Sequence, residues 1–409
     1  MASPLLSALR NRRFLTLWAG QCVSALGDRF TQVALLSLVI AGNAARAQAE
    51  ISFYDYLPWL LFGPFAGVLV DRCSRKGLMI AADLARAALV GALFAFGLGQ
   101  GADLSRAYPL LFGMGLMTAV FSPAKSAALP DLVGPDQILP SGALLSATGV
   151  IATALGGILA GWVIDHWSYR ACLLFDAASF LVSAGAVALI AFPRTVPKAP
   201  LTLSTAVRDL GEGFRELARN AELRTIAAFL FVFWFIATGV QVVSLNFGKE
   251  VLGLGEGHMT ALNQMLAAAG LGLLAGAGVT AAFGHRVPRR AAYLFASAGM
   301  SAAIFALAAS TGMGAALAFL FLTGTAGGSL VSRIDADVLK AIRPELRGRV
   351  FGANSVLFAA AVLAPLKPLG WLSARMAAAD ILRLLALVLA GLAVIVLLRL
   401  VRDRKSGMP

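Results

Sequence analysis

Charged side chains interrupt long apolar stretches of this 409-residue chain at several places: Asp28 and Arg29, Asp83 and Arg86, Lys125, then Arg333, Asp335 and Asp337, and finally Lys367 between Pro365 and Pro368. A charge near the middle of a bilayer costs at least about 2.5–3.5 kcal/mol, so such residues face a cavity or one another and mark a path for a solute or a proton. Asp28 and Arg29 stand ten and eleven positions beyond Trp18. At the helical rise that is about 15 Å past an interfacial aromatic, close to mid-bilayer. Arg29 points about 100° away from Asp28 and is expected to fix a neighbouring helix. Asp83 and Arg86, one turn apart, read as a local pair that holds helices together. Lys367 is expected to snorkel to an aqueous surface. His166, His258 and His285 fall near run ends or loops and make no convincing proton relay. The sequence carries no G-x-x-x-x-G-K-[ST] phosphate loop, no catalytic triad and no metal cluster, so neither enzymatic chemistry nor a cofactor is indicated. Cys22, Cys73 and Cys172 are odd in number and widely spaced, which speaks against a disulfide framework or a zinc site.

The elements that position these charges follow from composition. Hydrophobic residues make up 59% of the chain and charged residues 13%, against roughly 45–50% and roughly 25% in soluble domains. Runs of spanning length lie near 14–41, 51–71, 77–99, 107–129, 141–164, 171–192, 225–247, 259–283, 291–310, 313–332, 349–373 and 378–400. The chain therefore reads as an all-α integral membrane protein with about twelve transmembrane helices. The first run is long, keeps polar residues and lacks a small-residue cleavage site, so it reads as a retained span and not a signal peptide. Phe229, Phe231, Phe233, Trp234, Phe235, Met114 and Met117 suit helix packing and lipid contact, and a minority of them a pocket for a greasy solute.

Lys and Arg outnumber Asp and Glu by 34 to 21. Arg10, Arg12, Arg13, Arg72, Arg75, Lys76, Arg286, Arg289 and Arg290 collect with further clusters on one side of the runs. By the positive-inside rule both termini are cytoplasmic and the number of spans is even. The basic excess is a topology signal and an attraction to anionic membrane lipids, not a nucleic-acid footprint. The long interruption at 193–224 opens with Pro193, Pro197 and Pro200, and Val207, Leu210, Phe214 and Leu217 then recur at helical spacing. It reads as a linker with an amphipathic helix on the cytoplasmic surface, between a six-helix bundle over 1–192 and a second over 225–409. NRRFLT at 11–16 against NAELRT at 220–225, and DRCSRK at 71–76 against HRVPRR at 285–290, share an offset of roughly 210 residues, as a parallel repeat of six helices would produce.

Between the second and third runs lies GVLVDRCSRK, residues 67–76. Gly67, Leu69, Asp71, Arg72, Arg75 and Lys76 match G-x-L-x-D-R-x-G-R-K, the loop signature of the major facilitator superfamily, with Ser74 in place of the usual glycine. With twelve spans, a duplicated half and a central loop, the whole chain resembles that superfamily. FLTLWAGQCVSALGDRF at 14–30, ADLARA at 82–87, FSPAK at 121–125, FDAASFLVSA at 175–184 and RGRVFG at 347–352 are similar to the branch of macrolide-type and siderophore exporters. SALGD and SPAK also resemble the bacterial lysophospholipid transporter family. Span 5 carries Gly149, Gly156, Gly157 and Gly161 but not the Gly-Pro pair of drug:proton antiporters.

The resemblance implies two six-helix bundles working by alternating access, as a monomer without cofactor, in a bacterial-type inner membrane. It implies that Asp71 caps the start of span 11 as a conformational latch with Gly67, Arg72, Arg75 and Lys76. It also implies a central cavity built from spans 1, 4, 7 and 10, which points Asp28, Lys125, Gln241, Asn246, Arg333 and Asp335 inward as substrate or proton-coupling candidates. For Arg333 and Asp335, near the end of span 10, an inner gate is the equal alternative. The function expected is proton-coupled efflux of an amphipathic small molecule. The alternatives are transport or flipping of lysophospholipid and, from another class, a receptor on a transporter scaffold that moves nothing.

Overall fold

The computed structural model describes residues 9–39, 43–97, 104–192, 203–255, 257–342 and 346–405, together with most of their side chains. A chain this apolar satisfies its backbone polar groups internally, and the helix does so within one segment. Six long helices precede the central linker: α1 (Arg12–Val39), α2 (Ala44–Arg72), α3 (Arg75–Ala95), α4 (Tyr108–Leu132), α5 (Ile138–His166) and α6 (Tyr169–Leu189). α7 (Leu203–Arg219) is the amphipathic helix of the linker, with Leu217 buried and Val207 exposed. Six more follow: α8 (Ala221–Leu252), α9 (Met259–Phe283), α10 (Arg289–Ala309), α11 (Met313–Ala341), α12 (Arg347–Leu372) and α13 (Ala378–Lys405). Among the described residues, ten helices are long and apolar enough to cross a membrane. The two remaining long helices are α2, which carries Arg46, Glu50 and Asp55, and α13.

Helix ends differ from the apolar runs where polar residues extend a helix. α2 starts at Ala44, before the run that begins at 51, and α11 continues through Arg333, Asp335 and Asp337 to Ala341. Hydropathy marks only the apolar part of a helix, whereas backbone bonding carries on past it. Caps set other boundaries. The Asn220 side chain accepts from the N–H groups of Glu222 and Leu223 at the start of α8, and Gly253, with φ of 68°, closes that helix in the left-handed region.

The described chain divides into two compact units. One contains residues 1–42, 51–213 and 256–260; the other contains 43–50, 214–255 and 261–409. In the first, α1 packs on α5 and α6, and α3 on α4 and α6, around a core that includes Phe14, Leu17, Met79, Phe121 and Val187. In the second, α8 packs on α11, α12 and α13, and α10 on α11 and α13. Small residues set the closest approaches, as expected where lipid tails compete with apolar side chains. A Cβ on Gly115 would lie 2.1 Å from the Asp55 carbonyl oxygen. In the second unit, Gly272 and Gly276 of α9 meet Gly324 and Gly328 of α11 so closely that each added Cβ would lie 2.0–2.1 Å from a carbonyl oxygen of the facing helix.

Candidate functional site

In the first unit, four helices bring polar side chains together inside an apolar bundle. Lys125 of α4 donates from Nζ to Gln21 Oε1 of α1 at 3.2 Å. Gln21 donates from Nε2 to Ser183 Oγ of α6 at 3.0 Å, and Ser183 lies beside Asp83 of α3. Asp83 is ion-paired with Arg86, one turn along α3, with their side chains 0% and 3% exposed. The Arg86 guanidinium carbon stands 4.6 Å from the ring centroid of Phe121 and 4.4 Å from that of Phe180, while Lys125 Nζ stands 5.7 Å from Phe121. The electron-rich ring faces offset part of the desolvation of these cations. An ammonium, an amide, a hydroxyl, an ion pair and two aromatic rings thus share one pocket of polarity.

Asp28 is half-buried on α1, and among the described residues no hydrogen bond or ion pair holds its carboxylate. It acts electrostatically on Asp55, Asp83, Lys125 and Asp176, so it belongs to the same cluster as Lys125. Arg29 diverges from it: its Nη1 donates to Gln32 Oε1 at 2.6 Å, and its side-chain stem packs against Gly156 of α5. That matches a role in fixing a neighbouring helix. Gln21, Thr31, Asp55, Asp176 and Ser183 were not singled out from the sequence. The lone Asp176 in the apolar run of α6 carried the same signal as Asp28. Gln21 and Asp28, seven positions apart, lie two turns along one face of α1. Ser183 has no pattern of its own.

The loop motif holds helix ends. Ser74 caps α3 by accepting from the Gly77 N–H at 3.2 Å, a service that the usual glycine cannot perform. Arg75 Nη1 donates to the Ala127 carbonyl at 2.9 Å and to Asp131 Oδ2 at 2.5 Å. Lys76 Nζ donates to the carbonyls of Ala188 and Ile190 at 2.6 and 2.8 Å. Both cations therefore neutralise the negative ends of α4 and α6. Arg72 is exposed. The Asp71 side chain and the surroundings of Gly67 lie outside what the structure describes.

In the second unit the candidates stand apart. Arg333 Nη1 donates to the carbonyls of Gly284 at 2.5 Å and Val287 at 3.3 Å, and its Nε reaches Asp337 Oδ2 at 3.4 Å. Asp337, 5% exposed, also accepts from the Tyr293 hydroxyl at 3.2 Å. Arg333 thus ties α11 to the turn between α9 and α10. It lies at one end of an apolar groove of about 640 Å³ walled by α9, α10 and α11, with Phe283, Phe295, Ala303 and Leu322 among its lining. Asp335 and Gln241 are exposed. Asn246 is buried and engaged at the start of α2: its Oδ1 accepts from the Ala45 N–H at 2.8 Å and its Nδ2 donates to Asn43 Oδ1 at 3.1 Å. Lys367 is ion-paired with Glu50, a partner that snorkelling did not require. Among the described residues no group of three or more His, Cys, Asp or Glu is placed to hold a metal.

Comparison with known proteins gives a consistent picture. The sequence profile described as Major Facilitator Superfamily matches residues 17–365. Macrolide efflux protein A of Streptococcus pyogenes is 26% identical over 240 residues, 58% of this chain and 59% of that protein. Lysophospholipid transporter LplT of Salmonella heidelberg is 28% identical over 283 residues, 67% of this chain and 66% of the relative. The chain thus spans about three fifths to two thirds of these relatives' lengths. Among solved structures, a bacterial homologue of the human lysosomal transporter Spinster, in an inward-facing and unoccupied conformation, aligns with a TM-score of 0.70 at 14% identity, covering 97% of this chain and 96% of that one. A POT family transporter in complex with 5-aminolevulinic acid aligns with a TM-score of 0.73 at 11% identity, covering 97% of each. At such identities these two likenesses speak for the fold alone.

Proposed function

Since the chain belongs to the Major Facilitator Superfamily, and is a multi-pass membrane transporter rather than an enzyme, we propose that it expels an amphipathic small molecule in exchange for protons. Two six-helix bundles, 1–192 and 225–409, rock around a central site, with both termini on the cytoplasmic side of a bacterial-type inner membrane. The observation that carries this reading is the buried cluster of the first unit, where Lys125, Gln21 and Arg86 meet the rings of Phe121 and Phe180 beside the unpaired Asp28. Aromatic faces and a few polar donors suit a solute that is part greasy and part polar. Gln241, Asn246, Arg333 and Asp335 are the proposed contributors from the second half, and Asp71 is the proposed cap of span 11. Several charges inside apolar helices favour a transport path over a protein that moves nothing.

Energy then comes from the proton gradient: one proton moving through 100 mV supplies about 2.3 kcal/mol, enough for roughly a fifty-fold solute gradient. Asp28 is the proposed carrier, because a carboxylate free of a fixed partner changes its protonation without breaking an ion pair. The test uses liposomes and radiolabelled erythromycin, chosen because a relative is named for macrolide efflux. Asp28→Asn is expected to abolish accumulation driven by a pH gradient yet leave energy-independent counterflow partly intact. Undiminished pH-driven accumulation by the Asn variant removes Asp28 from the mechanism. An absence of counterflow in the parent protein, with binding retained, favours a receptor.

A second reading, transport of lysophospholipid, is supported by the longer match to the lysophospholipid transporter. Lys125 would there attract the lipid phosphate. Counterflow of fluorescent lysophosphatidylethanolamine in the same liposomes, set against erythromycin, separates the two.

A further inference from the structure

Asp176 of α6 is 0% exposed, and among the described residues no Lys, Arg or His pairs with it. Its partners are hydroxyls. Thr31 of α1 donates to Oδ2. Ser179 Oγ stands 2.8 Å from the backbone carbonyl of Asp176, to which it donates, and 3.3 Å from Oδ1. A hydroxyl has one proton to give and two lone pairs. With its proton directed to the nearer carbonyl, Ser179 turns a lone pair towards Oδ1. A hydrogen on Oδ1 therefore has a ready acceptor, while Oδ2 keeps its donor. Gly27 makes room for this arrangement: a Cβ there would lie 2.1 Å from Ser179 Oγ and 2.6 Å from Asp176 Oδ1.

The other tied carboxylates of this unit are held by donors alone. Asp83 is locked to Arg86 and Asp131 to Arg75. Asp165 accepts from the N–H groups of Met259 and Thr260 at 3.0 and 2.9 Å, and from the Thr260 hydroxyl at 2.6 Å. A proton on Asp83 or Asp131 would discharge an ion pair, and one on Asp165 would displace a donor. The groups that act on Asp176 are Asp28 and Thr31 from α1, Arg86 from α3, and Cys172 and Ser179 on its own helix. Asp28 and Thr31, three residues apart, share a face of α1.

We propose that Asp176 is a second proton-binding carboxylate of the transporter, holding its proton on Oδ1 against Ser179. The proton comes from the aqueous phase: one O–H bond forms on Asp176 Oδ1 and the negative charge of that carboxylate is neutralised. This deepens the proton-coupled reading and rests on it for its role in transport. The site itself does not depend on the solute.

The test is infrared spectroscopy of the full-length protein in phosphatidylethanolamine–phosphatidylglycerol nanodiscs across a pH titration. The carbonyl stretch of a buried protonated carboxyl is expected in the parent protein and in Asp28→Asn, to be lost in Asp176→Asn, and to shift in Ser179→Ala, which leaves the Thr31 bond in place. Asparagine can accept from Thr31 and donate to Ser179, so a folded variant is expected, and Ser179→Ala gives the reading even if it does not fold. An undiminished band in Asp176→Asn, or an unshifted one in Ser179→Ala, overturns the proposal. In liposomes with an internal pH dye, Asp176→Asn is expected to reduce erythromycin-driven proton flux at least tenfold; unchanged flux also overturns it. Band changes as expected, with no solute-driven proton flux in the parent protein, would support the proton site and sink the coupled reading instead.

Discussion

Asp83 and Arg86 sit in the interior of the first unit with almost no exposure, and the two together are tolerable where either alone is not. Arg86→Met would strand the Asp83 carboxylate, and the expected loss is about 3–5 kcal/mol, read as a fall in the unfolding temperature in detergent. The double variant Asp83→Asn with Arg86→Met is expected to recover most of it, and no recovery would show that Arg86 acts through its stacking on Phe121 and Phe180 instead. Lys125 differs from Arg86 in being held by a neutral amide, Gln21, at 3.2 Å. Lys125→Ala therefore leaves no opposite charge stranded and is expected to preserve expression. Counterflow of lysophosphatidylethanolamine is expected to fall at least tenfold if the ammonium attracts an anionic or zwitterionic head. Normal transport by the alanine variant would reduce Lys125 to a packing residue. Asp28 and Arg29, adjacent in sequence, part company here, one unpaired in the cluster and one against Gly156. The helical rotation between neighbours accounts for that split.

At the scale of elements, the glycine pairs of α9 and α11 decide how closely two helices of the second unit approach. Gly276→Ala puts a methyl group where the Thr325 carbonyl oxygen lies 2.0 Å away. The helices must part, and the expected cost is about 1–3 kcal/mol, checked by thermal unfolding. Gly278→Ala, with open space around its added Cβ, is the control expected to be neutral or slightly stabilising. In the first unit, Lys76 closes the end of α6 with two carbonyl bonds. Lys76→Ala is expected to fray that end, seen as faster amide exchange over residues 185–190 with protection of α1 unchanged; equal loss across the unit would mean that Lys76 supports the whole bundle. The motif signalled a basic loop and a latch. Its cations serve helix ends within the first unit, which loop position alone did not reveal.

For the whole molecule, the distribution of Lys and Arg makes one further expectation concrete. Reporter fusions that fluoresce only in the cytoplasm, placed at each terminus in turn, are both expected to light up, and a dark C-terminal fusion would require an odd number of spans. The two compact units do not follow the sequence halves cleanly. Residues 43–50, the first turns of α2, belong with the second unit, and residues 256–260 with the first. The contacts behind this are Asn246 and Ser373 on Asn43, and Asp165 on the N–H groups of Met259 and Thr260. None of these residues stands out in a hydropathy profile. They are short polar groups at helix ends, and their worth depends on what comes to meet them.

The sequence by itself determined the all-helical membrane class, the long helices, the central amphipathic segment and the superfamily. Each depends on local composition or on a contiguous motif such as GVLVDRCSRK, where the physical cause lies within a few turns of chain. It also determined that Asp28, Lys125, Asp83 and Arg86 had to find shelter, because their cost in an apolar run is independent of the fold. Which groups shelter them was decided only in three dimensions. Gln21 of α1 and Ser183 of α6 are unremarkable in sequence, and packing brought the amide to Lys125 and the hydroxyl to Asp83, while Thr31 and Ser179 came to Asp176. Likewise Asn246 was drawn to a helix start and Asp335 left exposed, outcomes set by helix rotation and contact that no spacing along the chain encodes.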